Sequence, residues 1–439
     1  MMSSGKAGVI WASALSALAL MMGAGEGAAQ ESPPESTYGV YVDGEVRPRL
    51  EFRLHSNLGG EPDDLAITRR GDYDRISQRS RLGVTFEQEM WAARVALIAV
   101  SIWGRSGLTV SDEVGLSLYE GWAEMRPMEA LSLKVGRFPI SYGEGRVLSG
   151  SSWNQLPRTW DAVRMKLFPH ATLRIDTFAG QYRDGGDSQV SGQPLAGDDY
   201  LIGTYGWYQV DQGLVRRADV YALHDWRQGG GAEGEVTERL STVGARVVLS
   251  AGPVELEAEG AGQFGRACPV DVATESQCAG DRRDVRGYFY DTELSVDLPI
   301  LSDFDVVVGH AFASGDDPGT AVDGNYRQLF GSTHSFHGKM DFVRRTNLRE
   351  YRLGFDVSLG PVSLVERAHL LERVEGNAGI IGVEVDSLVA WGLYKGLTLD
   401  AGYGVFFPGE AATESGAPRG ERPAHWVFMQ LRGTFGSRP

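Results

Sequence analysis

The stretch EVRPRLEFRLHS, residues 45–56, decides the fold. Val46, Pro48, Leu50, Phe52 and Leu54 alternate with Glu45, Arg47, Arg49, Glu51, Arg53 and His55. A period of two is the strand period, so one face is apolar and the other is a ladder of charge. A soluble sheet tolerates one wet face, but seldom with a charge at nearly every polar position. A strand in the wall of a membrane barrel reconciles both faces: the apolar side meets lipid and the arginines point into the lumen.

The same pattern recurs in strand-length segments from 42–55 to 424–435, about eighteen in all. The links between them keep a two-beat rhythm. Short ones fall at EMWA (89–92), RPMEA (126–130), FPHA (168–171), VDQG (210–213), SAGP (250–253), LPILS (298–302), LGP (359–361) and YKG (394–396). Long polar ones lie at 56–75, 139–157, 183–199, 265–284, 314–348 and 407–423. Transmembrane barrels alternate in this way, with short periplasmic turns and long extracellular loops, whereas propellers and sandwiches have no reason to. The last strand fits: in HWVFMQLRGTF, Val427, Met429, Leu431 and Phe435 share a face opposite Gln430, Arg432 and Thr434. Pro48 lacks an amide donor, so the first strand is expected to bulge there or to begin just after it. The fold class is therefore all-β: a transmembrane antiparallel barrel of about eighteen strands, wide enough for an aqueous channel.

Composition agrees. Of 439 residues, 42% are hydrophobic, which argues against disorder, and a mean hydropathy of −0.21 excludes a helical membrane bundle. The run Val9–Met22, after Lys6 and before small residues ending near Ala29, is too short to span a bilayer as a helix. It reads as a secretory signal peptide over 1–29, against the alternative of a soluble protein's apolar N-terminal helix. A short periplasmic lead (30–37) and the barrel (38–439) follow. Cys268 and Cys278 are the two cysteines, and in an exported chain they are expected to form a disulfide across a small loop. The net charge of −16 argues against nucleic acid as partner.

The polar faces give a partial lining. Arg47, Arg49, Arg53, Arg79 and Arg81 come from the first two strands, and Arg137, Arg158, Arg164 and Lys166 from the fifth and sixth. Arg352 and Arg432 come from later strands. Acids such as Asp291, Glu293, Asp356, Glu384, Asp386 and Asp400 dominate the C-terminal half. Arginine rings favour anions, and guanidinium forks fit carboxylates. The competing reading is that these charges pair across strands and merely stiffen the wall.

The segment GRFPISYGEGRVLSGSSWNQLPRTWDAVRM (136–165) resembles the alginate-export family of outer-membrane porins. It carries Gly136-Arg137, then Tyr142-Gly143-Glu144 with Arg146, then Arg158-Thr159-Trp160-Asp161 with Val163 and Arg164. ASGDDPGTAVDGNYRQLFGSTHSFHGKMDFVRRTNL (313–348), GVEVDSLVAWGLYKGLTLDAGYGVFFPG (382–409) and QRSRLGVTFE (78–87) are similar to further family segments. The resemblance implies a monomeric eighteen-stranded barrel in the bacterial outer membrane. It also implies an arginine-rich constriction passing an anionic polysaccharide, with a long extracellular loop and a periplasmic element as gates. Arg137, Arg146, Arg158 and Arg164 would form the filter, with Glu144 and Asp161 as partners. Family lumens are strongly basic, while this lining is mixed, so transport mode carries over better than alginate itself. Small anionic solutes remain an alternative cargo, and periplasmic export machinery a possible partner.

An enzyme is the rival class. Neither G-x-S-x-G nor H-E-x-x-H occurs. His334, His337 and Asp341 offer a weak metal set, and Asp316, Asp317, Asp323 and Asn325 fit no EF-hand spacing. No catalytic residue, cofactor or metal is expected. The remaining rivals are a general diffusion porin and a surface adhesin anchored by its barrel.

Overall fold

In the computed structural model, the alternation of residues 45–54 sorts as a barrel wall requires. Glu45, Arg47, Arg49, Glu51 and Arg53 are each only 2–4% exposed, while Val46, Phe52 and Leu54 stand outside. The structure describes residues 39–56, 71–104, 115–183, 199–228, 236–268, 282–301, 303–317, 319–376, 378–413 and 422–436. The expected signal peptide, the lead at 30–37 and Cys278 lie outside these residues; Cys268 itself is disulfide-bonded.

The first strands are β1 (Gly39–Leu54), β2 (Tyr73–Glu87), β3 (Trp91–Ile102), β4 (Gly115–Met128), β5 (Leu131–Phe138) and β6 (Trp160–His170). They continue as β7 (Leu173–Arg183), β8 (Asp199–Gln209), β9 (Val215–Gln228), β10 (Val236–Ala251), β11 (Val254–Ala267), β12 (Arg283–Asp297) and β13 (Phe304–Ala313). After the two-residue β14 (Val322–Asp323) come β15 (Leu348–Leu359), β16 (Val362–Arg373), β17 (Gly379–Tyr394), β18 (Leu397–Pro408) and β19 (Ala424–Phe435). Each strand pairs antiparallel with its neighbour, β13 with β15, and β19 closes the ring on β1; only β14 stands apart, parallel to β12. The wall is thus a closed eighteen-stranded antiparallel barrel.

All eight short links fall where the sequence places them, on one end of the barrel. Val95, Val135, Val163, Val220 and Leu353 are more than half exposed on the outer face, as a lipid-facing band requires. Trp91, Trp391, Tyr394 and Phe435 girdle the short-turn end, and Trp103 and Tyr288 the other. Pro48 corrects an expectation. β1 begins nine residues before it and runs through it in continuous register with β2. The missing donor shows on the other side, where pairing with β19 skips Arg47 and Pro48 and resumes in the same register.

The larger correction concerns the interior. Two long links, 139–159 and 314–347, fold back into the lumen. There they bury Ile140, Leu148, Tyr326, Met340, Phe342 and Val343 against wall residues including Trp160, Phe178, Phe406 and Trp426. The two segments also pair with each other. Ser149 donates its amide to Phe330 O at 3.0 Å, Phe330 to Val147 O at 3.0 Å, and Ser332 to Gly145 O at 2.9 Å. Gly331 permits this approach, since a Cβ there would lie 2.1 Å from Arg146 O. Gly145, at φ 79°, permits the turn that sends its segment inward. The expected open channel is therefore crossed by a packed plug.

Candidate substrate path

β1 and β2 build a basic wall against this plug. Arg47 donates to the carbonyls of Ser152 (3.0 Å), Trp153 (3.1 Å) and Asn154 (2.9 Å) and to Gln155 Oε1 (3.0 Å). Arg79 donates to Ser152 O (3.0 Å), Asn154 O (2.9 Å) and Glu45 (2.6 Å). Arg49 lies 3.5 Å over the Trp153 ring and bonds Trp153 O at 2.6 Å. Arg53 bonds Met340 O at 2.6 Å, and Arg81 lies 5.2 Å over the Tyr119 ring. Carbonyls satisfy donors without cancelling charge. Five arginines face three carboxylates here, Glu45 beside Arg79, Glu51 beside Arg49 and Asp341 3.9 Å from Arg53, so the basic groups outnumber the acidic ones.

The opposite wall is acidic, and its acids are matched. Tyr142, Tyr205 and Tyr221 form a stacked ladder, with centroids 4.5 and 5.4 Å apart. Their hydroxyls donate to Asp176 (3.0 Å), Asp219 (2.7 Å) and Glu259 (2.9 Å). Arg246 ties Asp219 (3.3 Å), Glu257 (2.8 Å) and Glu144 (2.7 Å) together. Asp291, fully buried, meets Arg146 (3.2 Å), Arg345 (2.9 Å) and Arg352 (2.5 Å). Charges on this side are shared within clusters of opposite sign.

The residues expected in the path are thus divided. Arg47, Arg49, Arg53, Arg79 and Arg81 share the basic wall. Arg146, Glu144 and Arg352 belong to the acidic side's ion-pair network, Arg146 also pairing with Glu257. Arg158 bonds the carbonyls of Ser149 (2.9 Å) and Phe330 (2.5 Å), locking the two plug segments together. Arg164 points inward, 5.0 Å over the Phe138 ring. Arg137 and Asp161 are the exceptions and must be corrected. They bond each other at 2.5 and 2.8 Å on the outer face, because Arg137 shares its side of β5 with Leu133 and Val135, and Asp161 shares its side of β6 with Val163.

Burial tunes the plug's titratable groups. The His334 ring stacks 4.0 Å from Trp153, and burial pulls its pKa down to about 4, with Asp341 at 3.4 Å opposing. Burial brings Arg158 down to about 10 and raises Glu144, the latter helped by neighbouring Glu257. Burial also lowers Lys339, against the pull of Asp386. His334 and His337 are spent on different acids, Asp341 and Glu350, so they do not converge on a shared ion.

Sequence reasoning missed Arg246, Arg345, Trp153 and Lys339. Arg246 had a signal: it alternates with the outward Val243 along β10. Trp153, Lys339 and Arg345 had none, since they lie on plug segments without a period.

Known proteins bear on this arrangement. A family model described as alginate export matches residues 41–424. No curated protein matches the chain. Among solved structures, OpdK of Pseudomonas aeruginosa with vanillate is similar at TM-score 0.61 and 11% identity, covering 91% of this chain and 100% of its own. A BenF-like porin of Pseudomonas fluorescens Pf-5 gives 0.61 and 13%, covering 91% and 99%. OccK2 of Pseudomonas aeruginosa in complex with glucuronate gives 0.59 and 13%, covering 91% and 98%. Identities this low speak for the shared barrel alone. The family model, by contrast, takes in most of the chain, plug segments and basic wall included, and the chain belongs to the alginate export family.

Proposed function

We propose that this barrel is a selective outer-membrane conduit for anionic solutes, with carboxylated sugars, in chain or monomer form, as its cargo. The observation that carries this reading is the basic wall. Arg47, Arg49 and Arg53 hydrogen-bond to neutral carbonyls of the plug rather than to carboxylates, so they keep an attractive potential there. A passing carboxylate gains from several modest contacts rather than one deep one, which conduction requires. Family membership supports a saccharide, and two similar barrels hold carboxylates, vanillate and glucuronate. Export would draw on periplasmic machinery that delivers the chain.

A second reading, a channel for small anions only, is favoured by the plug, which leaves little room for a polymer unless 139–159 or 314–347 moves. Both readings meet one test: the reversal potential of the refolded protein in a planar bilayer under a KCl gradient. Anion preference that falls when Arg79 and Arg81 are replaced by Gln supports the conduit. Cation preference overturns it. Block by glucuronate but not by uronate oligomers selects the small-solute reading.

A further inference from the structure

Charge also gathers on the outer face of the barrel, at the long-loop end. Arg239 on β10, Arg266 on β11 and Arg286 on β12 are all exposed, Arg266 with 66% of its side chain. Each keeps the parity of an exposed apolar or aromatic neighbour: Arg239 that of Val243, Arg266 that of Phe264 and Arg286 that of Tyr288. They therefore stand outside the wall.

The register brings them together. Arg239 and Arg266 are direct cross-strand partners, and Arg286, opposite Phe264, is one diagonal step from Arg266. Directly opposed residues have Cβ atoms about 5 Å apart, so like charges there destabilise the pairing. One acid answers the three arginines: Asp284, opposite Arg266 and 3.4 Å from it. Arg266 spends a further donor on Arg282 O at 3.3 Å. Among the described residues neither Arg239 nor Arg286 meets an acid, and Arg239 lies 5.0 Å over the ring of Trp226, its partner on β9. The formal balance of the four charged side chains is +2. Arg137 and Arg349 behave differently on the same outer face, each facing one acid, Asp161 and Glu372.

Depth in the membrane says what could answer this charge. Phe264 lies two residues below Arg266 on its strand, and Tyr288 and Tyr290 lie two and four below Arg286. Tyr288 and Tyr290 stack on Phe312 at 5.5 and 5.7 Å. Such an aromatic band marks the level of the lipid head groups. The arginines are one step beyond it towards the long loops, which is the extracellular side. The outer leaflet there is built of phosphorylated glycolipid. A phosphate set between opposed guanidinium groups removes their repulsion and accepts charge-assisted bonds from both.

We propose that Arg239, Arg266 and Arg286 form a docking site for the phosphate of an outer-leaflet lipid headgroup, with Trp226, Phe264 and Tyr288 against its sugar and the first carbons of its chains. The site is outside the wall and independent of what passes through the lumen.

The test is native mass spectrometry of the refolded full chain, released from detergent micelles after incubation with bis-phosphorylated lipid A. Enzymatically dephosphorylated lipid A is the neutral control. Lipid A stays bound and the dephosphorylated glycolipid does not. Arg239→Gln and Arg286→Gln weaken lipid A binding about threefold each and about tenfold together, as exposed charge pairs do. Arg349→Gln, on the same face with its own acid, leaves binding unchanged. Equal binding of the dephosphorylated lipid, wild-type affinity in the double variant, or an equal loss in Arg349→Gln overturns the site. Displacement of lipid A by millimolar inorganic phosphate overturns the lipid assignment too, leaving a plain anion site. Urea unfolding separates a merely structural role. In neutral detergent the double variant keeps or raises the midpoint, because a like-charge contact is gone, and added lipid A raises the midpoint of the wild type alone. A midpoint lowered in the variant without lipid, with the response to lipid A intact, would assign the arginines to the wall and overturn the site.

Discussion

The two walls of the lumen are both dense in charge, yet they solve burial differently. On β1 and β2 the guanidinium donors end on the backbone carbonyls of Ser152, Trp153 and Asn154. Across the barrel, Asp176, Asp219, Glu257 and Asp291 end on arginines. A dipole satisfies a hydrogen bond but leaves the ion's field in place, whereas a counter-ion removes both. Under the conduit proposal it is therefore the wall with fewer charges that sets the sign met by a passing ion, although the chain as a whole is strongly acidic. Net charge is a poor guide to a lumen because only uncompensated groups act on a passing ion.

The hardest blow to this contrast is Asp291→Ala. It leaves Arg345 facing a fully buried gap and takes one of several carboxylate partners from Arg146 and Arg352, which keep Glu257 and Glu350. Removing one partner from such a cluster costs about 3–5 kcal/mol. Urea unfolding in detergent, followed by tryptophan fluorescence, should show a clearly lowered midpoint, and surviving folded channels should become more anion-selective. An unchanged midpoint would mean the acidic wall is not held by compensation.

A somewhat smaller effect is expected from pH. His334 sits on the plug against Trp153, its pKa near 4 rather than the ordinary 6.5 because burial disfavours its charged form. The open plug binds the proton more readily, so the stability present above pH 6.5 is lost as pH falls towards 4. The full difference is about 3 kcal/mol. Single-channel recordings should show more frequent opening between pH 6.5 and 4, and His334→Phe, which keeps the stack on Trp153, should flatten that profile. A pH response that persists in the variant would assign it elsewhere.

The smallest expected effect is at Arg137. Its pair with Asp161 is on the outer face, with side-chain exposures of 39% and 55%. Arg137→Gln should change stability by about 0–1 kcal/mol and leave the reversal potential where it was. A shift in ion selectivity would put Arg137 back on the lumen and break the assignment of faces.

These outcomes separate what residue order carries from what it does not. Parity along a strand is legible: Arg47 and Arg49 face inward because Val46, Phe52 and Leu54 face lipid. It also holds against residue type, since Arg137 follows Leu133 and Val135 outward despite its charge. The outer arginine patch was less legible. Arg239, Arg266 and Arg286 keep the outward parity of their strands, but they belong to three different segments, and only the register of β10, β11 and β12 puts them side by side.

By itself, then, the sequence determined the barrel: the strand period, the alternation of short and long links and the apolar outer face all follow from chemistry between near neighbours. The tertiary structure decided what the inner charges do. Arg47 meets Ser152 across 105 positions of chain, and Arg345 meets Asp291 across 54, both through segments that have left the wall. Whether a buried arginine meets a carbonyl or a carboxylate depends on where those segments come to rest. That is set by the packing of Ile140, Leu148, Met340 and Phe342 inside the lumen rather than by any repeat along the chain.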